Sequence, residues 1–209
     1  MEVTVAIASF GDPKYALWAE RARRSVPEGI KVVQAHLPEG NLEQARNSAL
    51  ARVDTEWVCH LDADDELEPN FFNAMRKGTA DVRAPYVRYV GRSMGIGQAV
   101  MPRVSGHTHV CVADCLRIGN WLVVGSLVRT DLVREVGGWR DYPVYEDFDL
   151  WQRCWLAGAT MEGIPNAVYR AHVRVDSRNR GGATPQQKRL THYNISKTNM
   201  PAEDWEWLK

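Results

Sequence analysis

The chain of 209 residues is long enough to bury one hydrophobic core, and 44% of its residues are hydrophobic, so we expect one main domain. Lysine plus arginine and aspartate plus glutamate number 26 each, and this balance gives no support for a nucleic-acid-binding surface. No apolar run reaches the roughly 18 residues of a membrane span, and the amino terminus lacks the pattern of a signal peptide. We therefore expect a soluble, cytoplasmic protein without a membrane span.

The first part of the chain alternates between strand-like and helix-like segments. Apolar runs over Val3–Ser9 and 30–35 predict two strands, and the segments 13–25 and 42–52 have helical periodicity. The pattern continues into a third strand-like run that begins at Trp57. This β-α-β-α-β order predicts a doubly wound parallel sheet, in which ligands bind beyond the carboxyl ends of the strands.

The segment 57–65 is an apolar, strand-like run that ends in carboxylates. Because strand side chains alternate between faces, Asp62 and Asp64 are expected on the same side, with the small Ala63 between them. Oxygen ligands at such an edge suit Mg²⁺ or Mn²⁺, which can bridge to a diphosphate. The simpler alternative is a solvated turn whose acids lie at a helix start, and this segment alone favours neither interpretation.

The middle of the chain is predicted to be richer in strands and less regular. A helix is expected over 69–77, strands over 82–90, 100–104 and 109–113, and a mobile loop over 91–97 near the mouth of the site. His107, His109 and Cys111 would share one face of an extended segment, but their spacing matches no strong zinc pattern. We interpret these three residues as core or acceptor-side residues.

A second acidic cluster follows the glycine pair Gly137–Gly138. Glu146, Asp147 and Asp149 begin a predicted helix that continues to a stop at Gly158. Acids at a helix start are favoured by the helix dipole, which explains one or two of them. Three acids in four positions, flanked by aromatic residues, exceed what capping requires and indicate a functional site.

Taken in order, these motifs resemble the family-2 glycosyltransferases of the GT-A fold, which transfer a sugar from a nucleotide diphosphate donor with inversion. The motifs that carry the resemblance are Val3–Ser9, Ala45–Asn47, Leu61–Asp65, Gly137–Trp139, Glu146–Trp151 and Tyr169–His172. The resemblance implies an α/β fold with a doubly wound, Rossmann-like half and a mixed acceptor-side half over residues 1–175. Residues 176–209 are then a C-terminal extension, expected to be partly mobile.

The resemblance also implies roles for individual residues. Asp147 would be the general base, with Glu146 beside it in the catalytic group, and Asp64 and His172 would hold Mn²⁺ or Mg²⁺. The residues implied to bind the donor are Ser9, Phe10, Glu39, Arg46, Asp62, Ala63 and Trp139. Many relatives have an acidic end to the second strand that helps to read the nucleobase, whereas residues 35–40 here lack it. Uridine specificity therefore stays open, with Glu39 as a possible substitute for the missing acid.

Two other functions compete with sugar transfer. A phosphotransferase of the haloacid-dehalogenase type also has Asp-x-Asp after a strand, but it should carry Thr or Ser where this chain has Glu66. A catalytically silent module that binds a nucleotide sugar or glycan would retain the fold without turnover. If the chain is a transferase, its partners are a nucleotide-diphosphate sugar and an acceptor that is a glycan, small molecule, protein or modified base. The sequence leaves the oligomeric state open.

Overall fold

The computed structural model describes residues 1–91, 95–104, 111–174 and 183–205. Its strands are β1 (Val3–Phe10), β2 (Lys31–Leu37), β3 (Trp57–Asp62), β4 (Glu66–Leu67), β5 (Val82–Gly91), β6 (Gly95–Val100), β7 (Leu127–Arg129) and β8 (Met161–His172). Its helices are α1 (Lys14–Arg24), α2 (Leu42–Leu50), α3 (Phe71–Met75), a 3-10 helix (Ala113–Arg117), α4 (Thr130–Glu135), α5 (Glu146–Leu156), α6 (Pro185–Asn199) and α7 (Ala202–Trp205).

The strands form one mixed sheet with the order β2-β1-β3-β7-β5-β8-β4. β6 pairs with the second half of β5. β1 is parallel to both β2 and β3, whereas β7 is antiparallel to β3 and β5. The predicted doubly wound half followed by a mixed half is therefore confirmed. The carboxyl ends of β1 and β3 lie side by side, which places the acids after β3 at the edge where such sheets bind ligands.

β1 lies between β2 and β3 and is apolar on both faces. Val5 and Ile7 are fully buried, and Ala6 on the opposite face is 1% exposed, as expected for a parallel strand covered on both sides. α1 and α2 pack against it. A side-chain capping box between Asn41 and Gln44 begins α2, and this fixed start determines which of its residues face the sheet.

Three predictions for the middle of the chain need correction. Residues 95–97, predicted as part of a loop, belong to β6, and the predicted strand over 100–104 contributes only Val100 to β6. The glycines in this stretch indicated a loop, but Gly95 takes a positive φ of 64° at the start of a strand that pairs with β5. Ala113, predicted in a strand, starts the 3-10 helix. His107 and His109 lie outside the described residues, and Cys111 is buried, where its sulfur accepts a hydrogen bond from Val104 N.

The C-terminal helix α6 packs against α5. Its residue Asn199 donates hydrogen bonds from Nδ2 to Asp149 Oδ1 at 3.1 Å and to Gln152 Oε1 at 3.2 Å. The ring of His192 on α6 stacks on Phe148 of α5 with centroids 4.8 Å apart. This helix is therefore packed on the domain body. Within the described ranges, no helix combines the length and the apolar character that crossing a membrane would need.

Candidate active site

Three carboxylates gather immediately after β3. Asp62, Asp64 and Asp65 each have an oxygen within 4.8 Å of the others; we call these three residues the acid group. A tight turn brings them together, because Asp65 N donates to the carbonyl of Asp62 at 3.0 Å. The chain then enters β4, which pairs with β8 and holds the turn in place. The sequence predicted a pair of acids on one face, and the turn adds Asp65 to them.

Each carboxylate of the acid group has a different partner. Asp62 accepts from Arg46 Nη2 at 2.7 Å, and Asp64 forms an ion pair with Arg174 Nη1 at 2.6 Å. Asp65 accepts from Tyr169 Oη and from the main-chain nitrogen of His172, both at 2.7 Å. The acid group thus lies where β3, α2 and the end of β8 meet.

The electrostatics of the acid group fit a divalent cation. Burial and the neighbouring Asp62 raise the pKa of Asp64 against the opposing charge of Arg174. Burial, together with Asp64 and Asp62, raises the pKa of Asp65 well above its ordinary value. A cation would relieve this repulsion, and carboxylate oxygens are the ligands that Mg²⁺ and Mn²⁺ prefer. Asp62 and Asp64 are the accessible members of the acid group, with side chains 31% and 25% exposed, whereas Asp65 is 8% exposed and already accepts two hydrogen bonds.

His172 reaches the same edge but bonds to a different acid. Its Nε2 lies 2.7 Å from Glu66 Oε2, and it does not belong to the acid group as the described residues form it. The register of β4 against β8 explains this contact, because Glu66 lies opposite Arg170, two residues before His172. The predicted metal contact would require the imidazole to turn away from Glu66.

Two arginines that the sequence did not single out also lie at this edge. Arg21 on α1 donates from Nη2 to the carbonyl oxygen of Asp64 at 2.6 Å. Arg174, just after β8, lies over the ring of Trp18 at 4.3 Å as well as against Asp64. Nothing in the neighbouring sequence distinguishes either residue from an ordinary surface arginine, so only the fold reveals their common position.

Arg46 joins the acid group to the second acidic cluster. Its Nη2 binds Asp62, and its Nη1 donates to Glu146 Oε1 at 2.8 Å. Although burial by itself would lower the pKa of Arg46, Asp62 and Glu146 together raise it above its ordinary value. The side chain is 2% exposed. Arg46 therefore lies next to the predicted donor residue Asp62. Because it is buried, it would influence a donor indirectly, by holding the Asp62 carboxylate in place.

Trp139, predicted to contact the donor, is buried in the structure. It is 2% exposed and lies behind Arg46, whose Cζ is 4.3 Å from the indole centroid. Its Nε1 donates to His60 Nε2 at 3.2 Å. Burial first, and then the charge of Arg46, lower the pKa of His60 to about 3, so His60 is neutral. An aromatic residue after a glycine turn looks the same in sequence whether it faces a ligand or the core.

Asp147 lies in the first turn of α5, after Tyr145 in a left-handed conformation with φ 64°. Burial and the adjacent Glu146 raise the pKa of Asp147 to about 7, while Arg46 and hydrogen bonds from Phe148 N and the Asn120 side chain oppose the rise. A base whose pKa lies near the working pH is well suited to general base catalysis. The geometry is thus compatible with the role that the resemblance implies.

A cleft of about 170 Å³ opens beside Glu146. It is lined by Phe10, Asn41, Leu42, Glu43, Asp141, Tyr142, Pro143 and Glu146. Two of the predicted site residues, Phe10 and Glu146, meet in it, although they are more than a hundred positions apart in sequence. A larger cleft of about 300 Å³, whose lining includes Glu56 and Arg129, contains none of the predicted site residues.

The remaining predicted donor residues differ in accessibility. Ser9 is buried at the end of β1, where its Oγ is 3.0 Å from His36 Nδ1. Ala63 is buried within the turn of the acid group, and Glu39 is exposed. The end of β2 therefore offers an imidazole paired with a serine in place of an acidic residue.

Comparisons with known proteins bear on the family and the fold. The sequence profile described as "Glycosyl transferase family group 2" matches residues 57–189. No curated protein matches the chain. A structure of S. aureus TarS residues 1–349 in complex with UDP-GlcNAc has a TM-score of 0.66 at 14% identity, with 93% of this chain and 65% of that chain covered. The complex of the same TarS region with UDP has a TM-score of 0.61 at 15% identity, with 95% and 65% covered. This chain thus spans less than two thirds of the TarS region it matches, and at such identities the likeness establishes the GT-A fold alone.

Proposed function

Because this chain belongs to glycosyl transferase family group 2, we propose that it transfers a sugar from a nucleotide-diphosphate donor to an acceptor hydroxyl, with inversion and with the help of a divalent cation. The observation that carries this proposal is the Arg46 bridge. It holds the acid group, which suits a metal and diphosphate, next to the helix that carries Asp147. A transferase needs its site for the diphosphate and its general base within one substrate length of each other.

The acid group is proposed to serve the leaving diphosphate. Asp64 would be the main protein ligand of Mn²⁺ or Mg²⁺, with His172 joining it if its side chain leaves Glu66. When bound, such a cation supplies stabilisation of the negative charge that develops on the diphosphate. Arg21 and Arg174 lie against Asp64 in the structure, so two protein cations are available at the same place.

Asp147 is proposed as the single base that inversion requires. It would accept the proton of the acceptor hydroxyl as that oxygen attacks the anomeric carbon from the side opposite the diphosphate. A positioned base of this kind contributes roughly 10²–10⁴-fold to the rate. The raised pKa of Asp147, about 7, supports this assignment because it makes the carboxylate a stronger base than an exposed aspartate.

The donor is proposed to be a nucleotide sugar. The TarS structure that this fold resembles contains UDP-GlcNAc, which makes that compound the first donor to test. The end of β2 offers His36 paired with Ser9, so other nucleobases belong in the same panel. The cleft beside Glu146 is proposed to receive part of the donor or the acceptor, because Glu146 directly precedes Asp147.

A thermal-shift panel tests the proposal at the level of binding. Nucleoside diphosphates and nucleotide sugars, each with and without Mn²⁺, should raise the melting temperature of the chain in proportion to the logarithm of their saturation. Release of nucleoside diphosphate from the stabilising nucleotide sugar then tests turnover. Binding without any release, with water or with a panel of sugar acceptors, would indicate a silent binding module. No stabilisation by any nucleotide would refute the proposal.

A further inference from the structure

A column of three buried side chains lies behind Asp62 and Glu146, and the proposed reaction does not use it directly. It consists of Arg46, the Trp139 ring that Arg46 lies over, and His60, which meets the indole edge-to-face and accepts its hydrogen bond. Their exposed fractions are 2%, 2% and 1%. We call these three residues the buried column.

We propose that Trp139 and His60 are positioning residues: they hold the Arg46 guanidinium between Asp62 and Glu146 and thereby fix one positive charge beside Asp147. This inference rests on the proposed function, because it gives both residues a part in the same site. It also explains why a histidine next to the acid group has no access to a substrate.

The two hydrogen bonds of the Arg46 guanidinium require its orientation to be fixed by neighbouring side chains. A guanidinium presents its donors in one rigid plane, and bonds of 2.7 and 2.8 Å to two separate carboxylates are possible only in a narrow range of tilts. Arg46 Cζ lies over the indole ring of Trp139, 4.3 Å from the ring centroid. A desolvated cation–π contact of this type contributes about 2 kcal/mol and restricts the movement of the guanidinium.

Trp139 is itself held from several sides. Asn47 bonds to both main-chain polar atoms of Trp139, accepting from its nitrogen and donating to its oxygen, each at 2.9 Å. Asn47 follows Arg46 on α2, so the helix that carries the guanidinium also holds the ring beneath it. Gly138 permits this approach, because a Cβ there would lie 2.6 Å from Asn47 Oδ1.

His60 completes the column as a hydrogen-bond acceptor. The Trp139 indole donates to Nε2, so the proton of a neutral imidazole must be on Nδ1. That atom is buried and has no hydrogen-bond partner among the described residues. An unpaired buried polar atom costs about 1–3 kcal/mol, whereas an aliphatic residue would pack at this place without that cost. The need for an acceptor for Trp139 explains why the polar residue is there.

The column acts on Asp147 through the charge of Arg46. Among the described residues, the groups that face Asp147 are Glu146, Arg46 and the phenol of Tyr145, with hydrogen bonds from Phe148 N and the Asn120 side chain. If the guanidinium tilts away, the negative charge of Glu146 loses the compensation that Arg46 provides. Asp147 then binds its proton more tightly, and less of the base is available at a given pH.

Carboxyl ¹³C NMR titration of Asp147 tests this directly, with the signal assigned by its loss in Asp147→Asn. In Trp139→Leu, the titration midpoint should rise by about one pH unit. In His60→Leu it should rise by less, and in His60→Gln, which retains an acceptor, it should return toward the wild-type value. The melting temperature is recorded for each variant.

The chain offers a matched control in a second buried stack. Arg83 is 6% exposed and lies over Trp57, with 4.2 Å between Cζ and the ring centroid. Trp57 is at the opposite end of β3, away from the site. Trp57→Leu should therefore lower the melting temperature and leave the midpoint of Asp147 unchanged. If Trp139→Leu does not fold, Trp139→Phe, which keeps a ring but loses the indole N–H, should reproduce His60→Leu.

The inference is overturned if the titration midpoint of Asp147 stays at its wild-type value in His60→Leu and in Trp139→Leu or Trp139→Phe, while these variants lower the melting temperature as Trp57→Leu does. The buried column would then be ordinary core packing. Since the titration needs no substrate, a failure to bind or turn over nucleotide sugars would refute the proposed function and leave this result standing. If the wild type turns over nucleotide sugars but the titration midpoint of Asp147 does not change in the variants, only the role of the buried column would be refuted.

Discussion

Replacing Asp147 by Asn should inactivate the protein and at the same time stabilise it at alkaline pH. The folded chain raises the pKa of Asp147 from 3.8 to about 7, first through burial and then through Glu146. A carboxyl group whose pKa is raised by folding binds its proton more tightly in the folded state. Above pH 4 the unfolded chain has already released this proton, so ionising the group in the folded chain costs stability as pH rises toward 7.

The size of the effect follows from the shift. Each pKa unit corresponds to about 1.4 kcal/mol, so the ionised group lowers the free energy of unfolding by roughly 4 kcal/mol at pH 8 and by less than 2 kcal/mol at pH 5. Asn cannot ionise, and it keeps the shape of the side chain. The stability advantage of Asp147→Asn over wild type should therefore grow by about 2–3 kcal/mol between pH 5 and pH 8.

Urea unfolding at pH 5, 6, 7 and 8 measures this advantage for both proteins. Asp131→Asn is the control, because the Asp131 carboxylate is 99% exposed, and its difference from wild type should not follow the same course. Nucleotide-sugar binding should survive in Asp147→Asn while turnover falls by roughly 10²–10⁴-fold. An advantage that is the same at pH 5 and pH 8 would refute the burial argument, and near-normal turnover would remove Asp147 as the base.

Three further outcomes are expected. The rate of nucleotide release in wild type should rise about tenfold between pH 6 and pH 8, because a base with a pKa of about 7 goes from about one tenth to nine tenths ionised; a flat profile over that range contradicts the assignment. Asp64→Ala should abolish the Mn²⁺-dependent part of nucleoside diphosphate binding in titration calorimetry, and equal affinities with and without Mn²⁺ in both proteins would end the metal proposal. Glu66→Gln should weaken the interaction that keeps the His172 imidazole at Glu66, since the two side chains are 2.7 Å apart. If His172 joins the metal, Mn²⁺ affinity should stay equal or rise in Glu66→Gln and should fall in His172→Ala. An unchanged Mn²⁺ affinity in both variants would exclude His172 as a ligand.

The acidic clusters were predictable because their signals are local. An apolar strand that ends in Asp62 and Asp64, and a helix that begins with Glu146 and Asp147, are patterns that short windows of sequence contain. The order of strands and helices up to β3 was predictable for the same reason. The family resemblance implied roles for both clusters in one reaction, and the structure brings them together through Arg46.

The connections between the clusters were not predictable, because they join residues far apart in the chain. Arg46 meets Glu146 across 100 positions, and Tyr169 meets Asp65 across 104. Sequence periodicity does not indicate which arginine will be buried, because an arginine is rarely buried unless it is paired and its partners lie far away in the sequence. The burial of Trp139 was not predictable for a related reason: which way an aromatic side chain faces is decided by the tertiary packing around it.

The packing of α6 on α5 determines where the chain can be shortened. A truncation at residue 175, the boundary that the sequence suggests, would remove Asn199 and leave Asp149 and Gln152 without one of their partners. It would also uncover Phe148, the residue after the proposed base, by removing the ring of His192. Fragments for crystallisation or display should therefore retain residues up to at least 200, so that α5 keeps these contacts.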